Sequence, residues 1–258
     1  MILPGLVSIT FRKLPPERVC RLAADNGLAG IEWGGDVHVP AGDTGAAARV
    51  AGLTRDHGLA VAAYGSYYRL GVSDPAEGDA AVKTAASLGA PVIRVWCGNV
   101  GSADADEATR RRVVEDARRV SGLAADAGLT VACEWHGKTL TDRTESAVGL
   151  LREVDHPAFK TYWQPHQRIV TDDALADLDA ALPWVVGLHV FQWHAETVER
   201  QALTAGGSCW PRYLKKARSA GGKADPMYAL LEFVRDDDPA NLPADAATLR
   251  RWLGEANA

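Results

Sequence analysis

The chain has 258 residues, 47 % of them hydrophobic and 24 % charged, with a net charge of −5. These proportions are ordinary for a globular domain and exclude a disordered, collagen-like or disulfide-scaffold chain. The acidic balance also argues against a nucleic-acid partner, whose phosphates call for clustered cations.

The densest basic run, Arg110-Arg111-Arg112 with Arg118 and Arg119, is interleaved with Asp104, Asp106, Glu107, Glu115 and Asp116 and reads as a solvated helix face. No window approaches the roughly 20 apolar residues that cross a bilayer. Residues 1–5 carry no basic leader, and the four cysteines (20, 97, 133 and 209) show no paired spacing. Together these features point to a cytoplasmic protein with no membrane partner and no structural zinc.

In chain order, a strand is expected near 6–10 and a helix over 16–26, its first turn preset by Pro15-Pro16-Glu17. Gly27 then precedes a short apolar run, Leu28-Ala29-Gly30-Ile31. The same device recurs: a helix over 44–57, Gly58 and a run from Leu59; a helix over 76–88 opened by Asp74-Pro75, then Gly89 and Pro91-Val92-Ile93-Arg94-Val95; a helix over 107–127, then Gly128 and Leu129-Thr130-Val131-Ala132. Glycine just past a helix supplies a left-handed cap, and a continuous apolar run suits a strand buried on both faces. Helices over 144–154, 172–182, 210–220 and 243–254 alternate with strands near 161–163, 185–190 and 228–233. Eight strands strictly alternating with eight helices predict an α/β, single-domain (β/α)8 TIM barrel over residues 1–258. The competing open doubly wound sheet lacks its glycine fingerprint.

Chemistry in such a barrel sits at the carboxyl ends of the strands. Glu134, His189 and Glu232 each end or interrupt an apolar strand there. Two carboxylates buried close together need a compensating cation, and a hard divalent metal with oxygen and imidazole ligands fits. Five of the eight tryptophans (33, 96, 135, 163 and 193) lie beside strand ends, where flat walls suit the CH faces of a sugar or similar polyol, and His38, His136, His166 and His194 lie in the same loops. The bland alternatives are structural ion pairs for the carboxylates and barrel-to-helix packing for the tryptophans. Trp184 and Trp252 are assigned to packing; Arg200 and Trp210 either clamp a substrate or stack on the rim. His136-Gly137-Lys138-Thr139 lacks the upstream glycine of a phosphate-cradling loop.

The chain resembles the xylose isomerase-like TIM barrels, the sugar phosphate isomerase/epimerase group, along nearly its whole length. The likeness rests on Ser66-Tyr67-Tyr68-Arg69-Leu70-Gly71, on Ile93-Arg94-Val95-Trp96-Cys97-Gly98, on Glu134, His189 and Glu232, and on the segment from Arg200 to Trp210. The resemblance implies one divalent metal ion (Mn²⁺, Mg²⁺ or Co²⁺) held by Glu134, Gln164, His189 and Glu232. Gln164 stands where the family pattern has Asp, so the ligand set carries two negative charges rather than three. Weaker metal binding or a changed substrate is expected. The family often has a His three residues after that Asp; here position 167 is Gln and the nearest imidazole is His166.

The leading expectation is a carbohydrate isomerase or epimerase working through an enediolate, with Glu134 and Glu232 moving the proton next to a carbonyl. His136, His166, Trp33, Trp96, Tyr67 and Arg200 would contact the substrate. The alternatives are a metal-dependent lyase, a dehydratase or deglycosidase on an oxidised sugar, and a catalytically weak sugar-binding barrel. Self-association into a homo-oligomer stays open.

Overall fold

The glycines at 27, 58, 89 and 128 all take the left-handed conformation, with φ of 65°, 71°, 71° and 73°. Behind each, the next amide (Leu28, Leu59, Ala90 or Leu129) reaches back five residues to a helical carbonyl at 2.8–3.0 Å. This closes the helix end and throws an apolar residue straight into the following strand. At the opposite ends, Asp43, Asp74 and Asp106 each accept an amide hydrogen bond from the first helical turn.

The computed structural model describes residues 1–219 and 226–258. Its strands are β1 (Ile2–Val7), β2 (Gly30–Gly34), β3 (Ala60–Leu70), β4 (Val92–Cys97), β5 (Thr130–Glu134), β6 (Phe159–Trp163), β7 (Val185–Val190) and β8 (Met227–Leu231). Each pairs in parallel with the next, and β8 returns to β1, closing the barrel. The intervening helices are α1 (Pro16–Asp25), α2 (Thr44–Asp56), α3 (Pro75–Leu88), α4 (Glu107–Asp126), α5 (Thr144–Val154), α6 (Thr171–Ala181), α7 (Trp210–Arg218) and α8 (Leu242–Asn257). The molecule is a single-domain (β/α)8 barrel.

Apolar packing falls into two layers. The larger lies between strands and helices; the smaller fills the barrel with Val7, Ala63, Val92, Ala132, Tyr162, Val186, Tyr228 and Leu230. Small residues make room for large ones inside: a Cβ on Gly187 would stand 2.2 Å from the Tyr162 ring. Among the described residues no helix is long and apolar enough to cross a membrane. The basic run of α4 is solvated as expected, Arg110 pairing with Glu153 and Arg119 with Asp79 and Asp116.

The first strand ends earlier than expected, at Val7, and Ser8–Phe11 forms a 3-10 turn. There the Ser8 hydroxyl accepts the Gly34 amide at 2.9 Å and sits 3.0 Å from His38 Nδ1. β3 instead runs on to Leu70, held against α4 where Tyr68 Oη and the Gly71 amide both donate to Asp116. The helix expected over 210–220 ends at Arg218, and residue 220 lies outside the described residues.

Candidate active site

Side chains alternate across a strand. In β4 this puts Val92, Arg94 and Trp96 on the inner face, in β5 Ala132 and Glu134, and in β8 Tyr228 and Leu230, with Glu232 just beyond the strand. The apolar members fill the barrel; the polar ones form its top layer. With Glu32 from β2, Gln164 just beyond β6 and His189 from β7, they floor a cavity of about 650 Å³ at the carboxyl end of the strands, and Arg94, Trp96, Glu134, Gln164 and Glu232 line it directly.

The layer is one connected network. Glu32 and His189 are fully buried, Arg94 is 2 % exposed, and Glu134 and Glu232 are each 4 % exposed. Arg94 lies between two carboxylates, its Nε 3.3 Å from Glu32 Oε1 and its Nη1 3.1 Å from Glu134 Oε2. Trp96 Nε1 also donates to Glu134 Oε2, at 2.7 Å. His189 Nε2 is 3.1 Å from Glu32 Oε2. Its Nδ1 faces three oxygens: Gln164 Oε1 at 3.1 Å, and Glu134 Oε1 and Glu232 Oε2 at 3.6 Å each. Gln164 cannot turn its oxygen away cheaply, because its Nε2 donates to the Trp135 carbonyl at 2.7 Å.

Glu134, His189 and Glu232 thus present ligand atoms within 4.8 Å of one another, and Glu232 Oε2 is buried without a hydrogen-bond partner among the described residues. With His189 neutral and its proton toward Glu32, the Nδ1 lone pair faces the oxygens of Glu134, Gln164 and Glu232. Three carboxylates against one guanidinium leave two negative charges in the layer. A divalent cation fits both the donor set and that charge, and a carboxylate on the far nitrogen of a ligating histidine is the usual support. Arg94 holds the other edge of Glu134 and leaves Oε1 for the ion.

Burial raises the Glu232 carboxyl to about 7, Glu134 adding to the rise against the pull of His189. Burial acts on Glu134 too, but Arg94 and His189 outweigh it and hold this carboxyl well below the usual range. Glu32 is likewise lowered, His189 and Arg94 overcoming burial. Burial lowers His189, but Glu32 and Glu232 outweigh it and lift the imidazole well above 6.5.

Of the substrate contacts expected from sequence, Tyr67, Trp96, His136 and His166 line the cavity. His136 tilts against Trp96 with ring centres 5.2 Å apart, and His166 stacks on Trp135 at 5.1 Å. Burial lowers His166, and its Nε2 has no hydrogen-bond partner among the described residues.

Trp33 is a correction. It follows Glu32, so strand alternation turns it outward, and its Nε1 donates to Thr54 of α2 at 3.0 Å. Arg200 is a second: it lies off the cavity wall, paired with Asp237 and 4.6 Å above the Phe233 ring. Trp163 packs outward on Tyr213, and Trp210 Nε1 donates to the Phe191 carbonyl. His38 is buried against Ser8 and Leu14, and His194 accepts amides of its own turn. Glu32 and Arg94 were not anticipated as site residues. Glu32 carried the same signal as Glu134, a carboxylate ending an apolar strand.

A family model described as the xylose isomerase-like TIM barrel matches residues 20–254. A 3-dehydroshikimate dehydratase of Bacillus anthracis is 41 % identical over 68 residues, 26 % of this chain; the match spans about a quarter (24 %) of that enzyme's length. Among solved structures, the probable 3-DHS dehydratase AsbF of B. anthracis superposes with a TM-score of 0.79 at 21 % identity, covering 97 % of this chain and 99 % of that one. A xylose isomerase-like TIM barrel protein from Mycobacterium smegmatis in complex with magnesium gives 0.73 at 16 % identity, covering 99 % and 98 %. D-allulose 3-epimerase from Methylomonas sp. gives 0.72 at 16 % identity, covering 97 % of each chain. The matched model spans nearly the whole barrel, and the chain belongs to the xylose isomerase-like TIM barrel family.

Proposed function

We propose that this protein is a divalent-metal-dependent enzyme that removes a proton next to the carbonyl of a small polyhydroxylated keto substrate, a carbohydrate or a ring derived from one. One observation carries the reading: Glu134, His189 and Glu232 offer ligand atoms within 4.8 Å of one another in the cavity floor, and Gln164 Oε1 lies 3.1 Å from His189 Nδ1. A divalent ion held there supplies a Lewis acid for the substrate's carbonyl and neighbouring hydroxyl oxygens.

The two carboxylates have different surroundings. Glu134 is committed to Arg94 and Trp96, whereas Glu232 has an unpartnered oxygen. Glu232, which neither Arg94 nor Trp96 holds, is therefore the proton-moving group, acting through Oε1 while Oε2 is kept for the ion, and Glu134 is a fixed negative anchor. Trp96, Trp135 and the rings of His136 and His166 give flat surfaces for the substrate, and the free His166 Nε2 can take a hydroxyl.

A single mobile base favours elimination. Glu232 takes the proton next to the carbonyl and hands it to the hydroxyl departing from the adjacent carbon. The C–H and C–O bonds break, a C=C bond forms and water leaves. The partial sequence likeness to a dehydratase supports this fate. Epimerisation is the second reading, favoured by Glu134 and Glu232 lying equally far from His189 Nδ1 and by the structural likeness to an epimerase. The substrate would be met in the cytoplasm, in keeping with four free thiols.

The test is incubation in D₂O with Mn²⁺, Mg²⁺ or Co²⁺ and a panel of ketoses, 3-keto sugars and polyhydroxylated cyclic ketones including 3-dehydroshikimate, followed by mass spectrometry. Elimination gives a product lighter by one water. Epimerisation conserves the carbon skeleton and introduces deuterium. No solvent exchange and no mass loss anywhere in the panel would refute the proposed chemistry.

A further inference from the structure

Glu32 takes no part in the chemistry above, yet the barrel is built around it. It is fully buried in β2. Its two oxygens are divided, Oε1 to Arg94 Nε at 3.3 Å and Oε2 to His189 Nε2 at 3.1 Å. The neighbouring strand leaves space for this arrangement: a Cβ on Gly65 would stand 2.6 Å from Glu32 Oε1 and 2.9 Å from Arg94 Nη2.

We propose that Glu32 is a positioning residue that makes His189 a ligand through Nδ1. A neutral imidazole has one proton and two nitrogens. The Glu32 carboxylate can only accept, so it claims the proton on Nε2 and leaves the Nδ1 lone pair facing Glu134, Gln164 and Glu232. The tilted Tyr162 ring, 5.0 Å from the His189 ring, limits rotation. Arg94 fixes the sense of the device because its Nε–H also needs an acceptor. The inference rests on the proposed metal-dependent reading and adds how the donor atom is selected.

Glu32→Gln has nearly the same shape and inverts this logic. Arg94 Nε only donates, so the amide oxygen must turn toward it. The amide NH₂ then faces His189 Nε2, which has to accept, and the ring proton moves to Nδ1, where it blocks the ligand position. The expected result is a 10- to 100-fold weaker Mn²⁺ affinity, the usual cost of losing such a support. The Co²⁺-loaded protein should also show a changed visible spectrum. In chelator at alkaline pH, ¹⁵N NMR of His189, assigned against His189→Gln, should show the protonated nitrogen exchanged from Nε2 to Nδ1.

Unchanged ¹⁵N shifts together with Mn²⁺ affinity within about twofold of wild type would overturn the proposal. If Glu32→Gln does not fold, Gly65→Ala presses on the same carboxylate from outside the ligand set; it should weaken Mn²⁺ several-fold, and unaltered affinity would likewise overturn it. A wild-type protein that binds no Mn²⁺ contradicts the metal-dependent function, while the tautomer comparison still decides the role of Glu32.

Discussion

Replacing each of the two carboxylates by its amide should move stability in opposite directions although both changes abolish turnover. Glu134→Gln removes a partner from a buried guanidinium. Arg94 keeps Glu32 as its one ion-pair partner among the described residues, and Trp96 Nε1 exchanges a charged acceptor for a neutral one. Breaking a buried pair of this kind costs about 3–5 kcal/mol. For a chain of this size 1 kcal/mol is worth roughly 2–4 °C, so the metal-free variant should melt at least about 6 °C below wild type.

Glu232→Gln breaks no hydrogen bond of the buried Oε2 and removes a charge disfavoured first by burial and then by Glu134 and Glu32. A carboxyl moved from 4.5 to about 7 carries about 3 kcal/mol of unfavourable ionisation above that pH. The metal-free variant should therefore melt at or above the wild-type temperature at pH 8. Thermal melts in EDTA read both effects. Equal losses, or a Glu232→Gln variant less stable than Glu134→Gln, would refute the assignment of Arg94 to Glu134 and of the open site to Glu232.

In chelator, stability should fall as the pH rises from 6.5. Folded His189 keeps its proton above 6.5 while the unfolded ring releases it there. That stabilisation is complete below 6.5 and is lost as pH climbs through the raised folded value, with a limiting slope of about 1.4 kcal/mol per pH unit. Glu232 acts in the same direction between 4.5 and about 7; a melt series that stays flat or rises from pH 6.5 to about 9 would contradict this. Gln164→Asp restores a third negative charge to the ligand set at the expense of the bond to the Trp135 carbonyl. It should tighten Mn²⁺ by about tenfold in calorimetry, and weaker binding would remove Gln164 from the set. Trp33→Phe should leave kcat and KM unchanged while costing about 1 kcal/mol through the lost Thr54 bond. Trp96→Phe should instead lower kcat, because it removes one of the two donors that hold Glu134 Oε2; identical kinetic effects of the two would show that the inward and outward assignments are mistaken.

The barrel was legible because its punctuation is chemical. A glycine followed by Leu or Ala marks each of four helix ends through one hydrogen-bond pattern, and apolar runs of strand length follow. The end of the third strand has no local mark, since it is held by Asp116 on α4, a contact that spacing does not reveal. In the site, Glu134, His189 and Glu232 stood out as polar breaks in apolar runs. Glu32 carries the same signal, beside a tryptophan that competes for the inward position. Strand alternation allows only one of Glu32 and Trp33 to face inward, and a buried carboxylate needs the barrel's polar layer more than an indole does. Arg94 was visible as a charge inside Ile93-Arg94-Val95, yet its partners lie 62 positions away and 40 positions away, at Glu32 and Glu134. Arg200 lay in the right segment; its pairing with Asp237 depends on a loop fold that no local pattern specifies.

The most direct test of the account is titration of chelator-stripped protein with Mn²⁺, followed by calorimetry and elemental analysis. Wild type should bind one ion per chain at pH 8, and Glu134→Gln, His189→Gln and Glu232→Gln should each lose that site. Absence of stoichiometric binding in wild type, or full binding by any variant, would contradict a cation held between these three side chains.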